Sequence, residues 1–165
     1  MTFNSPEEFV NALKKPAFDI EREYGIPALF VIAQAALESG WGKNTIGNNL
    51  FGIKAGNDWN GLKRLVVTTE YSNCNNLQYP EILKIEKKGN LYKYTVKDWF
   101  RDYETLEEGL LDHVKFLLQN KRYEKAFKYT DAKKFAKEIA KAGYATDPNY
   151  YYNLYAVIDS VKKRL

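Results

Sequence analysis

The chain has 165 residues, 25 of them Lys or Arg against 21 Asp or Glu, for a formal net charge of +4. That length fits one domain able to bury its own core, and 45% hydrophobic with 28% charged residues lies far from the composition of disordered chains. A single Cys (Cys74) excludes an internal disulfide, and that Cys with the single His (His113) cannot complete a His/Cys zinc cage.

Met1 to Val10 carries acids where a secretion leader would carry Lys or Arg followed by an apolar run, so no leader is expected there. Asn4-Ser5-Pro6-Glu7-Glu8 joins a capping oxygen, an early Pro and acids near the positive end of a helix dipole, which predicts a helix to about Leu13. A second helix is expected from about Pro16 to Tyr24, stopped by Gly25. Pro27 opens a third, Ala28 to Glu38, apolar almost all round and therefore central in the core, with Ser39-Gly40 as its end. Its longest strictly apolar run, Ala28 to Ala33, is far below the roughly 20 residues of a membrane span, so no span is expected.

From Asn48 to Asp102 the texture changes. Leu62 to Tyr71 is rich in β-branched residues, while Ile82 to Lys88 and Leu91 to Lys97 alternate apolar and polar around Gly89-Asn90, which predicts a small antiparallel sheet. After Tyr103 the helical period returns, with Leu106, Leu110, Val114 and Leu117 on one face and a capping box from Thr105 to Glu108. Further helices are expected at about Tyr123 to Lys128, Ala132 to Ala142 and Tyr150 to Arg164, the last started by Asp147 as N-cap and Pro148 at its first position. The pattern reads as one α+β domain over residues 1–165. A mainly helical lobe carries a β-lobe insert at about 48–102, with a cleft where the two meet.

Charge is unevenly placed: residues 121–165 hold 11 basic and 5 acidic side chains, residues 1–120 hold 14 and 16. A basic C-terminal quarter suits polyanions. Lys133, Lys134, Lys137 and Lys141 follow helical spacing, however, and read more simply as a solvated helix face, so no nucleic-acid partner is expected.

Among groups that could carry chemistry, Glu38 stands out. It ends a nearly all-apolar helix, where desolvation and the negative end of the dipole both disfavour the charged form, so its pKa should rise. A carboxyl protonated near neutral pH is what glycosidic cleavage needs, because the leaving oxygen must receive a proton. The plainer alternative is a last-turn Glu that faces water. Trp41, beside Glu38 in Ser39-Gly-Trp-Gly42, offers an apolar wall or a sugar platform. A general acid also needs a group that stabilises the anomeric centre. Glu70 at the end of the first predicted strand is the candidate, in competition with Glu81, Glu86, Asp98 and Asp102. The Tyr-rich junction Ala142 to Tyr155 suits a carbohydrate groove, though core packing and a helix start explain much of it. Cys74 and His113 as a thiol pair are set aside, since Cys74 lies in a polar loop and His113 on a helix. Asn57 to Gly61 reads as a turn whose Trp59 packs on its own loop.

Five ordered motifs resemble those of the glycoside hydrolase family 73 glucosaminidases: Ala33-Gln-Ala-Ala-Leu-Glu-Ser-Gly-Trp-Gly-Lys43, Asn48-Asn-Leu-Phe-Gly-Ile-Lys54, Thr68-Thr-Glu-Tyr71, Phe100-Arg-Asp-Tyr103 with Glu108 to His113, and Gly143-Tyr-Ala-Thr-Asp-Pro148. The resemblance implies a lysozyme-like fold and cleavage of β-1,4 bonds after N-acetylglucosamine in the glycan strands of peptidoglycan, at the bacterial wall. A monomer with no cofactor and no metal is expected. By the same matching, Glu38 is the catalytic acid, Glu70 the second carboxylate and Tyr144 a supporting hydroxyl. Trp41, Asn49, Phe51, Gly52, Tyr71, Asp147 and Tyr150 are the implied substrate contacts. An N-acetylmuramidase or lytic transglycosylase on the same fold, and a non-catalytic wall-binding or assembly module with Glu38 in open solvent, remain open at this point.

Overall fold

A computed structural model describes residues 3–165, so the first two residues of the N-terminal stretch lie outside the described residues. Helix α1 runs unbroken from Pro6 to Tyr24. Its start is a capping box, in which the Ser5 hydroxyl accepts from the Glu8 amide at 3.1 Å and the Glu8 carboxylate accepts from the Asn4 amide at 2.8 Å. The two helices expected here are therefore one, with Pro16 inside it. An interior Pro removes one backbone hydrogen bond, at a cost of about 3 kcal/mol. The carbonyl it leaves free belongs to Ala12 on the exposed side, where water can serve it. The buried stripe Phe9, Val10, Leu13, Ala17 and Ile20 crosses Pro16 without a break and offsets the loss.

Helix α2, Ala28–Ser39, buries nearly every side chain against α1 and the C-terminal helices, as its all-round apolar character requires. It stops at Gly40, whose φ of 59° is left-handed. Trp41 (φ 60°) and Gly42 (φ 79°) continue that turn, and a Cβ on Gly42 would lie 2.2 Å from the Phe3 ring, so this reversal needs glycine there.

The sheet is antiparallel in the order β1-β3-β2, with β1 Lys63–Ser72, β2 Glu81–Lys88 and β3 Leu91–Arg101. Period two places Thr68 and Glu70 of β1 opposite Val96 and Tyr94 of β3 on one face. Tyr71, paired with Lys93, lies on the other. Residues 53–55 lie along the end of β3, tied by hydrogen bonds from Arg101 N–H to the Ile53 carbonyl and from Ala55 N–H to the Trp99 carbonyl, both 2.9 Å.

The return to helix comes at α3, Leu106–Gln119, capped as expected by Thr105. A 3₁₀ helix (Lys121–Lys128), α4 (Ala132–Lys141) and α5 (Tyr150–Lys162) follow. The N-cap of α5 is Asn149 rather than Asp147, and Pro148 precedes the helix. Asp147 instead accepts from the Asn149 amide at 2.8 Å, closing the turn one step earlier than expected. Where the lobes join, the buried Asp102 carboxylate accepts from the amides of Asn48 (3.0 Å) and Tyr103 (2.9 Å) and from Arg64. Burial alone would raise its pKa, but these donors outweigh it and hold the carboxyl below the usual range. No described helix is long and apolar enough to cross a membrane.

Candidate active site

The end of α2 delivers Glu38 to a cleft of about 350 Å³ lined by Phe51 and Ile53 from the loop after α2, His113 and Phe116 from α3, Arg122 and Tyr123 from the 3₁₀ helix, and Tyr144. A larger open depression of about 910 Å³ lies elsewhere, between α1 and the start of α3. Lys15 and Arg22 there both pair with Asp19, and the depression holds no carboxyl shielded from water as Glu38 is, so the smaller cleft is the one with chemistry.

Glu38 as a residue is exposed, yet its carboxyl stands at the cleft wall, where protein displaces part of its water. That loss of water raises its pKa. A hydrogen bond from the Tyr150 hydroxyl to Oε1, at 3.1 Å, opposes the rise in part.

Behind Tyr150 lies a directed chain. The Gln34 amide N–H donates to the Tyr150 oxygen at 2.8 Å, and Gln34 Oε1 meets His113 Nε2 at 2.8 Å. A carbonyl oxygen only accepts, so His113 carries its proton on Nε2. Complete burial depresses the His113 pKa to about 3, which keeps the ring neutral, and Phe51 stacks on it at 3.7 Å between centroids. Every donor in the series therefore points toward Glu38.

Tyr144 stacks on Tyr150 (5.5 Å, 27°) and meets His113 edge-on (5.9 Å, 89°). Burial, followed by the neighbouring Glu38 charge, pushes the Tyr144 hydroxyl pKa up, and the same causes act on Tyr150. Both phenols stay protonated. The hydrogen bond to Glu38 comes from Tyr150, not from Tyr144, which was the expected supporting hydroxyl.

The remaining expected site residues are distributed as follows. Phe51 lines the cleft as anticipated. Asn49 is buried and organises the loop: its amide donates to the carbonyls of Ile53 and Arg101, both at 2.9 Å, and its Oδ1 accepts from the amides of Phe51 and Ile53. It shapes the groove from beneath. Gly52 is exposed at φ 60°. Trp41 packs edge-on to Phe9 with Arg164 over its ring, outside the cleft lining. Tyr71 sits on the opposite sheet face from Glu70, and Asp147 is exposed in its turn.

Glu70 is not among the residues lining the Glu38 cleft. Its Oε1 pairs with Lys54 Nζ at 2.6 Å, and the same ammonium reaches Asp98 at 2.9 Å. The two β-lobe carboxylates thus share one cation next in sequence to cleft-lining Ile53. Trp59 packs on its own loop, donating to the Leu62 carbonyl at 2.9 Å.

Sequence reasoning missed Gln34, His113, Ile53, Phe116, Arg122 and Tyr123. One signal was present for the first: Gln34 is the polar residue inside an apolar helix, one turn before Glu38, where side chains four apart share a face.

The glucosaminidase family model, described as mannosyl-glycoprotein endo-beta-N-acetylglucosaminidase, matches residues 14–163 of the chain. The peptidoglycan hydrolase FlgJ of Vibrio cholerae is 39% identical over 155 residues, covering 90% of this chain and 41% of that protein. The exo-glucosaminidase LytG of Bacillus subtilis is 30% identical over 159 residues, covering 92% of this chain and 50% of that one. The chain thus spans half or less of the length of these relatives. The structure of a C-terminally truncated glycoside hydrolase domain from Salmonella typhimurium FlgJ superposes with a TM-score of 0.76 at 34% identity, covering 96% of this chain and 99% of that one.

Proposed function

Since the chain belongs to the glucosaminidase family of glycoside hydrolases and shares its lysozyme-like α+β fold, we propose that it is an endo-β-N-acetylglucosaminidase that cleaves the β-1,4 bond after N-acetylglucosamine in peptidoglycan. Residues 1–165 form a single catalytic domain, acting as a monomer at the bacterial wall.

The observation that carries this reading is the environment of Glu38. Loss of solvent holds its carboxyl protonated to higher pH, and Tyr150 engages Oε1. The acid proton therefore sits on Oε2, free to pass to the glycosidic oxygen as the bond breaks. Because Gln34 already donates to the Tyr150 oxygen, the single Tyr150 proton is directed at Glu38. That bond favours the carboxylate, so it strengthens as the proton leaves and stabilises the transition state more than the ground state. Phe51, Phe116 and Tyr144 supply the aromatic walls on which sugar rings pack. Stabilisation of the anomeric centre falls to Glu70 from the β-lobe or to the substrate's own 2-acetamido group.

Mass spectrometry of digested, purified peptidoglycan tests the reading. Products with reducing N-acetylglucosamine ends support it, and reducing or anhydro-muramic ends overturn it in favour of a muramidase or lytic transglycosylase.

A further inference from the structure

Six of the eight residues lining the cleft are aromatic or aliphatic or, like His113, held neutral; the two charged ones are Glu38 and Arg122. The Arg122 guanidinium lies over the Tyr123 ring at 4.6 Å. No carboxylate of the described residues lies within ion-pair distance of it, whereas Arg64, Arg101 and Arg164 each hold one. The influences on Glu38 are burial and Tyr150, while the Arg122 charge is felt by Tyr144 and Tyr123. Arg122 thus stands in the cleft without lowering the pKa of the acid, which a closer cation would do. A second group beside it is also unpartnered. The Tyr123 hydroxyl is buried, its residue only 1% exposed, and finds no hydrogen-bond partner.

We propose that Arg122 and Tyr123 form a subsite for a carboxylate carried by the glycan, so that the cleft selects carboxylate-bearing strands over uncharged N-acetylglucosamine chains. This rests on the peptidoglycan reading above and names which part of that polymer is recognised. Peptidoglycan offers two sources of the same chemistry: the lactyl carboxyl of muramic acid where no peptide is attached, and the free carboxyls of stem peptides where one is. Guanidinium matches carboxylate with two parallel donors, and the Tyr123 ring beneath holds it flat.

The test is equilibrium binding to the chain made inactive by Glu38→Gln, using peptide-stripped glycan fragments with a free lactyl carboxyl, peptide-bearing fragments, and both kinds with their carboxyls converted to amides. On the subsite account, amidation weakens binding by about 10-fold or more, the scale of a lost charge-assisted bond, and Arg122→Gln abolishes that discrimination. If stem-peptide carboxyls are the source, discrimination appears only between peptide-bearing fragments and their amidated forms. Tyr123→Phe keeps the ring beneath the guanidinium, leaves folding stability equal or higher because an unsatisfied buried hydroxyl is removed, and preserves the discrimination between charged and amidated fragments. Equal affinity for charged and amidated forms of both fragment types, with wall cleavage by the unaltered chain intact, overturns the subsite alone. No binding of any fragment together with no cleavage overturns the peptidoglycan reading as well.

Discussion

The Tyr150 hydroxyl donates to Glu38 Oε1 across 3.1 Å, joining the end of α2 to the start of α5 through the group proposed to move the proton. Burial raises the Glu38 pKa and this bond lowers it. Tyr150→Phe removes the lowering influence, so the carboxyl keeps its proton to higher pH. The alkaline limb of the kcat/KM profile should move up, by about half to one pH unit, while the maximal rate falls because the departing proton leaves an unsupported carboxylate. A limb that stays in place or moves down contradicts the assigned role.

The same desolvation bears on stability. A carboxyl with a raised folded pKa contributes stability that is fully present below its unfolded pKa, about 4.3, and is lost as pH rises through the folded value. At neutral pH, above that unfolded value, the raised Glu38 pKa therefore weakens the fold. Glu38→Gln should raise Tm near pH 7 by about 1–2 °C, a small effect because the cleft side of the group is screened by solvent, and that gain should vanish at pH 3. A lower Tm at pH 7 contradicts this.

His113 sets a slope of the opposite sign. Its folded pKa is about 3, against about 6.5 unfolded. The unfolded chain alone takes up the proton between those values, so stability falls by about 1.4 kcal/mol per pH unit as pH drops below 6.5. His113→Gln should be less stable at pH 7 and flatten that slope, as measured by urea denaturation at several pH values. An unchanged slope means that His113 is not shielded as described.

Gln34 has both faces of its amide engaged inside the core. Gln34→Leu leaves the His113 N–H unsatisfied and removes a donor from Tyr150, and should cost about 2–6 kcal/mol at roughly 1–3 kcal/mol for each of these two buried groups. It should also reduce turnover, since the freed Tyr150 hydroxyl is no longer aimed. Denaturation midpoints and initial rates on the same preparations check both. Full activity at reduced stability would show Gln34 to be structural only.

Glu70 and the substrate acetamido group are separated by one substitution. If Glu70 stabilises the anomeric centre, Glu70→Gln lowers kcat by about 10² or more with little change in KM. Retained kcat assigns that task to the acetamido group. Lys54, which pairs with Glu70 and Asp98 at the edge of solvent, should contribute only about 0–1 kcal/mol to stability.

Much of this was legible in local pattern. The apolar circumference of α2, the glycine at its end and the Thr105 capping box each act within a few residues, and each placed its element well. Pro16 misled because one lost hydrogen bond on an exposed face weighs less than a continuous buried stripe, and burial is a tertiary quantity. Asp147 misled because two adjacent turn-formers compete for one cap. The site divides along the same line. Glu38 follows from its own helix, and Gln34 could have followed from its position one turn earlier. Arg122, Phe116 and Ile53 meet only where α3, the 3₁₀ helix and the loop after α2 converge, and no local pattern encodes that approach. Glu70 lies on the expected strand, yet strand position does not fix which cleft a side chain lines.

The most direct measurement is the release of reducing ends from purified peptidoglycan by the Glu38→Gln protein beside the unaltered chain, with both shown to be folded. Loss of turnover by about 10³ or more is the result this account predicts. Turnover near that of the unaltered chain would contradict it.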